Sequence, residues 1–366
     1  MTLSKKNAII PRGSIMRVSL FLLGLLLVVV MYLALDFYLG LQEHHEVIIE
    51  DVPVSLFIGL VAGTGGFADK SFNDSQYRGM ILAKMEYDID FIERSPNRME
   101  DSYKSLKEVI DGGVHVVFAG GGFFMRESVD TLARQYPKII FVLFDDDAIE
   151  HLPNVASVVF RQNEGSFLVG ALAAMQTQTN TIGVITAMDA VVMNDCVIGF
   201  EAGVRYIKPG IKIIKEVIEQ HDSKTDPFSN PQVAFDIASE MYLKKNVDII
   251  FQVCRGSGLG VINASREHGK FSIGVMYDQD HLAKGNVLTS MEKKMDLGIL
   301  EIVNILVNCN FENKLYSFGL KEGFISRSNL TYTKDLIGEA NINKLNGIEK
   351  KIIKGEIVVP SVQERN

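Results

Sequence analysis

Between the apolar run Ser55 to Ala62 and a helical pattern that begins at Asp74 lies the segment Gly65-Gly66-Phe67-Ala68-Asp69-Lys70-Ser71-Phe72-Asn73. Its residue types suit ligand capture: glycine permits unusual backbone angles and close approach, short polar heads offer hydrogen bonds, and Phe72 adds an apolar face. Asp69 has the chemistry to accept hydrogen bonds from a polar ligand, and Asn73 to donate and accept along the edge of a planar base. The competing reading is structural, because Ser71 and Asn73 are equally suited to capping the helix that follows. Gly122 and Phe123, at another strand end, either line the same cleft or complete a tight strand-to-helix turn.

Catalytic constellations are not found. Gly256-Ser257-Gly258-Leu259-Gly260 follows a strand, but its third glycine comes one residue too early for a dinucleotide fingerprint and Arg255 replaces the usual lead-in. There is no phosphate-cradling Gly-Lys-Ser/Thr loop, no His-Glu-x-x-His helix and no Gly-x-Ser-x-Gly elbow. The seven histidines are scattered, and Cys196, Cys254 and Cys309 lack the close pairs of a zinc site. Asp145, Asp146 and Asp147 read either as a cation site at a strand end or as a solvated turn. The expectation is a binding protein with no enzyme activity, no cofactor and no metal.

Stepping outward to the elements, apolar strand-like runs alternate with amphipathic helical stretches, which predicts parallel sheets covered on both faces. One series places strands at Ser55–Ala62, Asp88–Glu93, Val114–Ala119 and Lys138–Phe144, with helices near 74–86, 101–111 and 124–135. A second places strands near 181–187, 211–219, 247–253 and 271–276, with helices near 164–177, 195–207, 230–243 and 259–268. In open α/β sheets ligands bind at the carboxyl ends of strands, where Gly65–Asn73 falls. Tyr332 to Val359 reads as helical.

Of 366 residues, 47% are hydrophobic and 22% charged, enough for a two-lobed body with its own cores. Val18 to Leu35 carry no charge and can form a helix of membrane-spanning length. Lys5, Lys6, Arg12 and Arg17 precede it and Glu43, Glu46, Glu50 and Asp51 follow, so residue 1 is expected in the cytoplasm and the main body outside. An uncleaved anchor is favoured over a signal peptide, because the run is long and no A-x-A-like site follows; a start at Met16 is the other alternative. Removing the four basic residues ahead of the anchor takes the net charge from −8 to about −12, which argues against nucleic acid as partner.

An ordered series of motifs runs through Gly65–Asn73, Gly120-Gly121-Gly122-Phe123-Phe124-Met125, Phe141–Asp145, Asn154–Phe160, Asn163–Phe167, Gly256–Gly260, Asp278-Gln279 and Leu288–Asp296, within about 54–328. In order and approximate spacing this series resembles the basic membrane protein family of PnrA-like, purine-nucleoside-binding components of ABC importers. The resemblance implies a two-lobed periplasmic-binding-protein type I fold with parallel sheets. It implies lobe 1 at about 54–150 plus 285–308 and lobe 2 at about 160–278 plus 312–358, with crossovers near 146–162, 277–286 and 308–318. Ahead of this body come a basic segment 1–17, the transmembrane segment 18–39 and a linker 40–53, and behind it a helical extension 329–366.

The resemblance also implies site residues. Tyr77, one helical turn after Asn73, takes the position of an aromatic clamp, although a core aromatic has the same spacing. Aligning Gly199-Phe200-Glu201-Ala202-Gly203-Val204 puts Cys196 where relatives carry the second stacking aromatic, and Met276 where they carry the acid that grips ribose. Asp278 is an acid two positions further on. Arg255 replaces a glycine beside Gly256 and Ser257 and adds a fixed charge that suits carboxylate or phosphate, or simply a solvated rim. Lys293 matches a ligand-contacting lysine, with Lys294 as competitor. Relatives also carry a lipid-attached cysteine near the start, and no cysteine precedes Cys196 here. The expected function is a membrane-anchored extracytoplasmic substrate-binding protein with a small-molecule ligand, ABC permease and ATPase partners and altered specificity. The alternative is a tethered sensor or partner-binding protein with a degenerate cleft.

Overall fold

A computed structural model describes residues 55–69, 71–147 and 152–362, together with Met31. Apart from Met31, the basic segment, the anchor 18–39 and the linker lie outside the described residues. Among the described residues no helix is long and apolar enough to cross a membrane.

Two six-stranded sheets organise the chain. The first contains β1 (Leu56–Val61), β2 (Ile89–Arg94), β3 (Val116–Ala119), β4 (Ile140–Phe144), β5 (Val155–Phe160) and β11 (Leu315–Phe318). Its order is β11-β5-β4-β3-β1-β2, parallel throughout. The second contains β6 (Thr181–Thr186), β7 (Lys212–Val217), β8 (Ile249–Val253), β9 (Phe271–Met276), β10 (Val287–Lys293) and β12 (Ile325–Arg327). Its order is β12-β10-β9-β8-β6-β7, and only β12 runs antiparallel, against β10. The central strands are predominantly apolar, broken only by Ser157 in β5 and Gln252 in β8, and buried along their length, as parallel strands covered on both faces must be.

All eight expected strands and seven expected helices are present, with ends shifted by a few residues. The helices of ten or more residues are α1 (Phe72–Glu86), α2 (Ser102–Asp111), α3 (Arg126–Gln135), α4 (Gln162–Gln176), α5 (Val191–Ile207), α6 (Pro231–Lys244) and α7 (Gly258–Glu267), followed by α8 (Met295–Val307) and α9 (Glu339–Ile353). The tail beyond α9 packs on the body: Asn163 Nδ2 donates to the carbonyls of Val359 and Pro360, at 3.3 and 3.1 Å.

The expected lobe partition needs correction in two places. β10, inside the 285–308 expected in lobe 1, pairs with β9 in the second sheet; only α8 from that stretch joins lobe 1, where it packs on α1. β11, inside the 312–358 expected in lobe 2, pairs with β5 in the first sheet. The chain therefore passes between lobes around Arg161, Lys294 and residues 319–324, and the crossovers expected near 277–286 and 308–318 move to the later two places. Strand pairing across sequence gaps of this length leaves no local signal. Arg161 ties two of the crossings: Nε meets Glu164 at 2.9 Å, Nη1 donates to the Ser317 carbonyl at 3.2 Å, and Nη2 pairs with Glu322.

Strand order reverses between β1 and β3 in the first sheet and between β6 and β8 in the second. These switch points leave crevices at the strands' carboxyl ends, the places where open α/β sheets accept ligands. The loops after β1, β4, β8, β9 and β10 supply the site.

Candidate ligand-binding site

In lobe 1 the loop after β1 is held by the residues expected to hold a ligand. Asn73, fully buried, donates from Nδ2 to the carbonyls of Gly63, Thr64 and Gly66 at 3.2, 3.1 and 2.8 Å and accepts the Gly63 N–H at 3.1 Å. Its amide is thus occupied within the protein. Asp69 accepts the N–H groups of Ser71, Asn73 and Asp74 at 2.8, 2.9 and 3.2 Å, so its carboxylate caps α1 and neutralises donors left open at that helix end. Ser71 occupies the N-cap position but its hydroxyl makes no capping bond. The cap expected from Ser71 or Asn73 is therefore supplied by Asp69, and the result is to fix Phe72 as the first residue of α1, buried at the cleft.

In lobe 2 the turn Arg255-Gly256-Ser257 clasps the segment ahead of α6. The Ser257 N–H donates to the Phe228 carbonyl at 3.0 Å, Ser257 Oγ donates to the Pro227 carbonyl at 2.7 Å, and the Asn230 N–H donates to Ser257 Oγ at 2.7 Å. A side chain on Gly256 would approach the Phe228 carbonyl to 3.1 Å. Gly256 and Ser257 thus set Phe228, an aromatic that the motif alignment did not single out. The signal was present in Asp226-Pro227-Phe228-Ser229-Asn230, an apolar ring inside a run of turn-forming residues just before a helix.

Between the two rings lies Arg255. Its guanidinium carbon is 4.2 Å over the Phe72 ring and 4.3 Å over the Phe228 ring, contacts that are worth roughly 1–2 kcal/mol each where water is excluded. Nη1 is shielded from solvent and has no hydrogen-bond partner. Burial pushes the guanidinium down from its usual range, while the charges of Asp69, Asp145 and Asp226 oppose that shift. Arg255 adopts φ +50°, in the left-handed region where a glycine would sit without strain.

Lys293, at the end of β10, is buried and pairs with Asp145 at the end of β4, so the ion pair joins the two sheets. Its Nζ also donates to Gln162 Oε1 at 2.8 Å and lies 5.0 Å from the Phe160 ring. Met276, with φ +77° at the end of β9, and Cys196, on α5, complete the apolar wall. Burial first, then the neighbouring Asp195, pushes the Cys196 thiol up to about 12, so it stays protonated at neutral pH.

Phe72, Cys196, Arg255, Met276 and Lys293 converge on one cavity of about 50 Å³, whose other walls include Phe228, Val253 and Met291. That is room for one or two waters, whereas drug-sized ligands take pockets of roughly 300–1,000 Å³. The cavity shares Asp145 and Val192 with an open groove of about 810 Å³ between the lobes.

Other expected site residues lie elsewhere. Tyr77 does not border the cavity; it packs at the surface against Phe67 and Phe91, with ring centroids 5.4 and 5.8 Å apart. Phe200 is fully buried and stacks on Phe251 at 4.9 Å as a core residue. Asp278 accepts the Asp280 N–H at 2.9 Å and shapes the turn after β9. Gly122, with φ +72°, turns the chain against Asp145, and Phe123 faces the larger groove. Asp146 forms a fork with Arg126 at 2.7 and 2.9 Å, so with Asp145 on Lys293 two of the three consecutive acids are spent on protein cations. Among the described residues no cluster of His, Cys, Asp and Glu has the arrangement of a metal site.

Residues 58–363 match the family model for PnrA-like substrate-binding proteins of ABC transporters. Basic membrane protein A of Borreliella afzelii is 30% identical over 308 residues, covering 82% of this chain and 90% of that one. The CD4+ T-cell-stimulating antigen of Listeria monocytogenes is 28% identical over 327 residues, covering 83% and 87%. The solute-binding protein of an ABC transporter system from Aeropyrum pernix superposes with a TM-score of 0.73 at 23% identity, covering 84% of this chain and 94% of that one, a likeness of fold.

Proposed function

Because the chain belongs to the PnrA-like family of ABC transporter substrate-binding proteins, we propose that it serves an importer from the extracytoplasmic face of a membrane, with a cleft altered away from ordinary nucleoside capture. Proteins of this kind bind a small solute and work with a permease and an ATPase. The uncharged run Val18–Leu35, with basic residues before it and acidic residues after it, supports attachment through an N-terminal helix in place of a lipid.

One observation carries the altered specificity: between Phe72 and Phe228, one ring from each lobe, lies the Arg255 side chain. Met276, in place of a sugar-gripping carboxylate, points the same way. Two cations in the cavity, one neutralised by Asp145 and the other with an unpaired N–H, suit a small polar or anionic solute. A thermal-shift panel of nucleosides, free bases, inorganic phosphate and small carboxylates tests this, since a ligand that binds only the folded state raises the melting temperature. The expected outcome is a shift of several degrees with a small anion and little with adenosine or guanosine; a large shift with the nucleosides overturns the altered specificity.

The second reading is a tethered sensor or partner-binding protein whose cleft has lost its solute. The same filled slot favours it, and absence of any shift across the panel would count for it and against the transport reading.

A further inference from the structure

We propose that Arg255 is the resident occupant of the slot in which a planar ring would stack, and that it fastens the two lobes together when no solute is bound. The inference rests on reading the cleft as a ligand site and names what any stacking solute must displace.

The side chain starts in lobe 2, two residues past the end of β8, and reaches to the lobe 1 backbone at Gly63. Its flat cation lies over Phe72 of lobe 1 and Phe228 of lobe 2 at nearly equal distances, 4.2 and 4.3 Å. A guanidinium is planar and delocalised, so it stacks on aromatic faces as a heterocycle does. Nη1 reaches the lobe 1 backbone closely enough that a Cβ on Gly63 would stand 2.8 Å from it. Separating the lobes must therefore break the contact with Phe72 and Gly63. The delivery requires φ +50° at Arg255, a conformation that an L-residue holds only when its surroundings over-determine it. The space left beside the guanidinium, about 50 Å³, excludes a nucleobase while the arginine stays. Burial pushes the guanidinium down from its usual range, and the charges of Asp69, Asp145 and Asp226 partly offset that push.

The full chain in detergent provides the test, with adenosine and guanosine as probes. Arg255→Gly removes the occupant and relieves the left-handed backbone. Arg255→Lys keeps a charge but loses the stacking plane, and guards against an effect peculiar to glycine. Calorimetric titration is expected to show that Arg255→Gly binds at least one nucleoside about tenfold or more tighter than the wild type, with Arg255→Lys in between. Hydrogen exchange of residues 62–69 in the unliganded protein is expected to be faster in both variants, and slowed again by the nucleoside. Wild-type affinity within about twofold of the glycine variant overturns the proposal, and so does unchanged exchange in that loop. A wild type that shifts with some solute in the thermal panel keeps the transport reading whatever these variants do, so the two can fail separately.

Discussion

Lys293 has two oxygen acceptors, Asp145 and Gln162, and two aromatic faces around its ammonium group, with little water in reach. Such a pair is weak evidence for stability as a whole, but either half alone is costly because the other charge is left buried. Lys293→Met is therefore expected to lower unfolding free energy by about 3–5 kcal/mol in urea titrations. Adding Asp145→Asn should recover most of that loss, since asparagine tolerates the left-handed conformation that Asp145 holds at φ +60°. A double variant no better than the single one would show that the lysine acts through packing. Cys196 is the opposite case: an inert wall residue, whose high thiol pKa removes thiolate chemistry at neutral pH.

The pairing of α4 with α5 controls where the lobe 2 wall stands. A Cβ on Gly203 would come within 2.0 Å of the Phe167 carbonyl, and one on Gly170 within 2.2 Å of the Phe200 carbonyl, so the two backbones are in direct contact. This closeness fixes the start of α5, which presents Val192, Met193 and Cys196 to the cavity. Gly203→Ala is expected to force the helices apart and to cost about 1–3 kcal/mol by overpacking, despite alanine's better helix propensity. Chemical denaturation checks it, and a stabilised variant would contradict the close approach. Sequence periodicity located both helices, yet the motif alignment assigned the second stacking position to Cys196 on α5. Phe228, the lobe 2 ring that packs on Arg255, comes instead from the turn before α6, because Ser257 draws that turn towards the cleft through three hydrogen bonds.

For the molecule as a whole, pH enters through Asp280, buried under the turn between β9 and β10. Burial pushes its carboxyl up from 3.8 to about 6, against hydrogen bonds donated by Ser328 and Ser290 at 2.7 and 2.8 Å. A native pKa above the unfolded one stabilises the fold when the group is protonated. That contribution is complete below about pH 4 and is lost as pH rises through 6. Unfolding free energy should thus carry a downward component of the order of 2–3 kcal/mol between pH 4 and 7. Asp280→Asn is expected to remove that component, read as a flatter stability profile across the same range; an unaltered slope would place its cause elsewhere. Between them, apolar alternation and turn residues in the chain determined the strand and helix series, the two-sheet α/β class and the family, because those depend on local periodicity and on motifs kept in order. Edge pairing of β11 and β12, the true crossings between lobes, the structural employment of Asp69 and Asn73, and the seating of Arg255 between two rings were decided only by tertiary structure. Each depends on residues far apart in the chain meeting at one place, and nothing in the local pattern of either partner encodes that meeting.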